Sequence, residues 1–74
     1  MFEKKVFSAR LRSKRAELRM SQGELAEKAG LSASAIVHYE DDEDPKYIPG
    51  ADKVWVLSEV LECDPGWLLG WEVA

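Results

Sequence analysis

Residues 22–39 read Gln22-Gly23-Glu24-Leu25-Ala26-Glu27-Lys28-Ala29-Gly30-Leu31-Ser32-Ala33-Ser34-Ala35-Ile36-Val37-His38-Tyr39, and their spacing decides the fold. Ala26 lies four after Gln22, Gly30 four after Ala26, Ile36 six after Gly30, and Tyr39 three after Ile36. Two short helices that cross steeply need a small residue where their backbones approach, and Ala26 supplies it. They need glycine in the turn, because a Cβ there would strain the backbone. Leu25, Ile36 and Tyr39 then fasten the pair to the rest of a core. The caps agree with this reading. Ser21-Gln22-Gly23-Glu24 is a capping box, so a helix starts at Gln22 and runs over 22–29, with Gly30 placed for positive φ at its end. Ser32 is the next N-cap and opens a helix over 32–40.

Working outward, Phe7, Leu11 and Leu18 recur at intervals of four and seven, a narrow apolar seam on a first helix over 6–19. Beyond Glu40, the run Asp41-Asp42-Glu43-Asp44-Pro45 cannot continue a helix, since like charges repel and proline stops it. Residues 41–50 therefore form an acidic loop. Val54, Leu57, Ser58 and Leu61 restore helical spacing over 51–62. Asp64-Pro65 is an N-cap followed by proline in the first helical position, opening a last turn over 65–69 before Gly70. The pattern predicts an all-α fold, a single domain over 1–74 with five helices.

The 74 residues are 46% hydrophobic and 32% charged, as in an ordinary globule, with room for one core. A single cysteine, Cys63, cannot form an internal disulfide, and no apolar run approaches the ~18 residues of a membrane helix. A cytoplasmic location is expected, with no membrane partner. The net charge of −4 is unevenly distributed. Residues 1–20 carry Lys4, Lys5, Arg10, Arg12, Lys14, Arg15 and Arg19 against Glu3 and Glu17, whereas the rest of the chain is acidic. A basic segment on an acidic body is a polarised surface, and local potential matters more than net charge for docking on phosphate. A solvated basic helix face is the competing account of the same residues.

Three stretches carry a family resemblance: Arg10-Leu11-Arg12-Ser13-Lys14-Arg15; Met20 through Ser32; and Ala35-Ile36-Val37-His38-Tyr39-Glu40. Cys63-Asp64-Pro65-Gly66-Trp67-Leu68-Leu69 adds a similar closing helix. Together they resemble the phage repressor and Cro-type (XRE-like) helix-turn-helix domains over nearly the whole chain except 41–52. The resemblance implies a compact five-helix lambda-repressor-like bundle whose second and third helices form the helix-turn-helix. It also implies a sequence-specific regulator, of phage- or prophage-repressor type, that binds double-stranded DNA at a pseudo-palindromic operator as a homodimer. The third helix would enter the major groove, Gln22 and the second helix's N-terminus would grip a phosphate, and Arg15 would pair with Glu40. The residues fit that pair, because Arg15 borders the apolar seam, where a guanidinium needs a carboxylate partner.

The candidate phosphate contacts are Arg10, Ser21, Gln22, Ser32, Lys46 and Tyr47. Lys4 and Lys5 read as solvated charges, and Arg12 and Lys14 as either solvated or phosphate-facing. The candidate base contacts are Ala33, Ser34, Val37 and His38. None is the bidentate Arg–guanine or Gln–adenine reader that discriminates strongly, so the base code is weak.

The acids Asp41, Asp42, Glu43 and Asp44 depart from the family, where this loop is often basic and lies along the DNA backbone. Two readings stand. In one the loop points away from DNA, which the extra residues and Pro45 favour. In the other the domain is a protein-interaction module that offers the acids to a basic partner. No enzyme, metal or cofactor is expected. One histidine and one cysteine are too few for zinc, the acids lack the order of a calcium loop, and no catalytic arrangement is present. Trp55 and Trp71 lie off the core stripes, where aromatics either cover the core's underside or mark an interface.

Overall fold

The structure, a computed structural model, describes residues 2–44 and 47–71. Five helices follow one another among the described residues: α1 (Lys4–Glu17), α2 (Gln22–Ala29), α3 (Ala33–Tyr39), α4 (Ala51–Val60) and α5 (Pro65–Leu68). Among the described residues there is no strand. The number and order of helices match the sequence reading, and most boundaries fall within two residues of it.

The caps explain why the elements start where they do. Ser21 Oγ accepts from the Glu24 amide at 3.0 Å, and the Glu24 carboxylate accepts from the Ser21 amide at 3.1 Å, so the capping box is closed. Ser32 Oγ accepts from the Ala35 amide at 3.1 Å. Asp64 accepts from the Trp67 amide at 2.9 Å, with Pro65 in the first turn. Each of these bonds satisfies a backbone donor that the first helical turn leaves without an internal partner.

The helix ends show one device used four times. Arg19, Gly30, Glu62 and Gly70 all have positive φ. At each, the following amide donates back five residues: Met20 to Arg15, Leu31 to Ala26, Cys63 to Ser58 and Trp71 to Gly66. This is the Schellman closure, which satisfies the last carbonyls and turns the chain sharply. Two boundaries depart from the sequence reading for this reason. The first helix was expected to run to residue 19 and the fourth to 62. Arg19 and Glu62 are instead the left-handed residues beyond α1 and α4. Neither is glycine, so neither carries the usual signal for such a stop. Gly70 has a second constraint, since a Cβ there would lie 2.8 Å from Val6. The first helix also starts at Lys4, two residues earlier than expected.

The core sits where the five helices converge. Phe7 and Leu11 of α1, Leu25 of α2, Ile36 of α3, Leu57 of α4 and Leu68 of α5 are fully buried. Ala26 of α2 is buried, and α2 packs against both α3 and α4. Tyr39 packs edge-on against Phe7, with ring centroids 6.1 Å apart, and so joins the end of α3 to the start of α1. This arrangement turns one face of α3 inward and holds the opposite face outward. Trp55 and Trp71 do not cover the core; they are 60% and 75% exposed.

Candidate nucleic-acid interface

The α2–α3 corner fixes the candidate site. Ala35, Ile36 and Tyr39 anchor α3 to the core, which leaves Ala33, Ser34, Val37 and His38 exposed on its other side. The sequence assigned these four residues to base contact, and the structure gathers them on one accessible face. The position of α3 depends on what holds its C-terminal end, and there the structure concentrates charge.

Glu40 follows α3 and is only 5% exposed. Arg15 Nε donates to its Oε2 at 2.7 Å and Arg15 Nη2 to its Oε1 at 3.0 Å, a two-bond fork that matches guanidinium to carboxylate. Arg15 Nη1 donates to the Met20 carbonyl at 2.9 Å. The carboxylate holds the Arg15 proton more firmly than usual, chiefly through these hydrogen bonds. Gln22 Nε2 donates to the same Oε1 at 3.0 Å. Because a carboxylate only accepts, this bond fixes which end of the Gln22 amide faces inward. Arg12 donates to the Glu40 carbonyl. One buried carboxylate thus joins α1, the start of α2 and the end of α3.

Lys4 overturns its sequence reading. Expected to be a solvated charge, it is 9% exposed, and its ammonium donates to the carbonyls of His38 (3.0 Å), Asp41 (2.7 Å) and Asp44 (2.9 Å). A signal was available. Lys4 stands three before Phe7, four before Ser8 and seven before Leu11, on the buried face of α1. Ser8 on that face donates to the Tyr39 carbonyl at 2.7 Å. Lys5 is exposed, as expected.

The acidic loop is consequently drawn back onto α1 and α3. Asp44 Oδ2 lies 3.6 Å from His38 Nδ1. The Tyr47 ring is 4.9 Å, centroid to centroid, from the rings of both His38 and Tyr39. At Asp44 the loop therefore folds back against the exposed face of α3. Lys4 ties the loop's backbone at Asp41 and Asp44 to the end of α3.

The remaining candidates divide. Ser21 and Ser32 stand at the N-termini of α2 and α3 with their oxygens accepting cap bonds. Arg10 donates to the Trp67 carbonyl and lies 4.8 Å from that ring's centroid, with Lys14 at 5.3 Å on the same ring. The structure gives both cations a role in holding α5, which sequence spacing did not show. Lys46 lies outside the described residues. Cys63 is half-buried, and burial pushes its thiol pKa up.

Two packed helices with this spacing and these caps, the second presenting an exposed outer face, define a helix-turn-helix protein. The chain belongs to that family: the family model described as Helix-turn-helix matches residues 11–68. Among solved structures, the chain is similar to the P22 c2 repressor protein, crystallised in complex with synthetic operator 9T in the presence of Tl+. The TM-score is 0.78 and the identity 29%, over 90% of this chain and 97% of that one. No curated protein sequence matches.

Proposed function

We propose that this protein is a sequence-specific double-stranded DNA-binding transcriptional regulator, a repressor of the phage type. It acts as a homodimer on a pseudo-palindromic operator, in the cytoplasm, without enzymatic activity or cofactor. The observation that carries the reading is the exposed α3 face Ala33, Ser34, Val37 and His38, held on a corner that the buried Glu40 braces. In this orientation α3 enters the major groove, where side chains distinguish base pairs. The likeness to a repressor in complex with operator supports the same docking.

Ser21, Gln22 and Ser32 then face phosphates at the N-termini of α2 and α3, where helix dipoles and backbone amides favour anions. Arg10, Lys46 and Tyr47 complete the proposed phosphate set. With no bidentate base reader on α3, phosphate contacts and DNA shape supply much of the affinity. The family match does not favour the protein-interaction reading of the acidic loop.

Selection of bound sequences from a random duplex pool, followed by affinity measurement across salt concentrations, tests the proposal. The expected result is an enriched inverted repeat with half-sites about one helical turn apart. The log–log salt slope should be about 0.9 per neutralised phosphate. Recovery of no enriched sequence at low salt overturns it.

A further inference from the structure

His38 is the one ring on the exposed face of α3, and three residues hold it, Asp44 and Tyr47 from the acidic loop and Lys4 from α1. Its Nδ1 faces Asp44 Oδ2 at 3.6 Å. Its ring lies against Tyr47, which in turn lies against the buried Tyr39. Its backbone carbonyl accepts from the Lys4 ammonium, and the same nitrogen donates to the carbonyl of Asp44. A single buried cation therefore fixes the backbones of the two residues whose side chains meet. The other charged group brought in by that cation is Asp41, through its carbonyl.

We propose that Asp44 and Tyr47 together form a specificity device: they position the His38 imidazole as a base reader and set which nitrogen carries the proton. The inference rests on the DNA-binding reading of α3. At 3.6 Å the carboxylate acts on Nδ1 as a neighbouring negative charge rather than as a hydrogen-bond acceptor, and a negative charge on that side favours the proton there. In the neutral ring, Nε2 on the far edge is then an acceptor. In the major groove the complementary donors are the exocyclic amino groups of adenine and cytosine. The acidic loop, which as net charge opposes DNA, acts here on the choice of base. Asp44 and Tyr47 are positioning residues; His38 makes the contact.

The test is selection from a random duplex pool at about pH 8 with the parent, His38→Ala, Asp44→Ala and Tyr47→Ala. His38→Ala identifies the base pair in each half-site that the imidazole reads. The parent should prefer adenine or cytosine there by roughly tenfold, the scale of one mismatch. Asp44→Ala and Tyr47→Ala should reduce that preference to under about twofold while leaving base preference at the other positions unchanged. Tyr47→Ala, which also removes a proposed phosphate contact, should in addition weaken binding to all sequences about equally. Loss of one negative charge alone would strengthen binding to all sequences equally and leave the ratio intact. An unchanged preference in both variants overturns the proposal but not DNA binding. A parent that selects no sequence overturns both. Nitrogen NMR of the His38 ring in the parent gives a reading independent of variant folding: a proton on Nδ1 is expected, and a proton on Nε2 overturns the proposal.

Discussion

Arg15 and Glu40, 25 residues apart in the chain, meet through two hydrogen bonds of 2.7 and 3.0 Å that fasten α1 to the end of α3. The pair is asymmetric. The carboxylate side chain is 4% exposed and the guanidinium 21%, so the acid depends on its partner more than the base does. Glu40→Ala should lower stability by about 3–5 kcal/mol, the scale for breaking a buried pair and stranding the other charge. Urea denaturation measures it, and a loss under about 1 kcal/mol would show that the pair behaves as an exposed one.

Lys4 poses a related question with backbone acceptors. Lys4→Met keeps the apolar stem and removes the ammonium, leaving the carbonyls of His38, Asp41 and Asp44 without that donor. The expected cost is about 2–3 kcal/mol, as for a lost charged hydrogen bond with partners left behind. Amide hydrogen exchange should quicken in residues 41–44 and stay unchanged in α2. Uniform quickening across the domain would mean that Lys4 supports the whole core rather than the loop.

Glu62 is held at φ 55 by the Schellman closure after α4. A left-handed backbone costs a residue with a Cβ about 1–2 kcal/mol, and glycine avoids that at the expense of a more flexible unfolded chain. Glu62→Gly should therefore stabilise the domain by about 0.5–1 kcal/mol. A lower thermal midpoint in the variant would contradict this account.

The first three acids of the loop are separable from Asp44. The Asp41 carboxylate accepts from the Glu43 amide at 3.0 Å, a bond that asparagine preserves. Changing Asp41 and Asp42 to Asn and Glu43 to Gln should tighten duplex binding at low salt. The gain should fade as the screening length falls from ~10 Å at 0.1 M to ~3 Å at 1 M. Equal affinity at all salt concentrations would place these carboxylates beyond reach of the phosphates.

The five helices, their caps and the α2–α3 corner were all legible in the sequence. Apolar spacing, Ser21 with Glu24, Ser32, Asp64 with Pro65, and Gly30 are local signals that act within a few residues, and local physics carries them into the fold. The Arg15–Glu40 pair was legible as well, through the place of Arg15 beside the seam and the family resemblance. The two left-handed stops at Arg19 and Glu62 were not, because nothing about those side chains marks them. Their conformation follows from where Met20 and Cys63 must go to donate back into α1 and α4.

What only the tertiary structure decided is the partner of each charge. Lys4 and Lys5 are neighbours of identical type, yet one is buried and donates to three carbonyls while the other is exposed. Arg10 and Lys14 lie over Trp67, and Gln22 meets Glu40 18 residues away. The acidic loop reads from sequence as a solvated run; in space it closes on His38. Helix formation depends on residues three and four apart, whereas the partner of a long charged side chain depends on which distant carbonyl or carboxylate the packed core brings within about 3 Å.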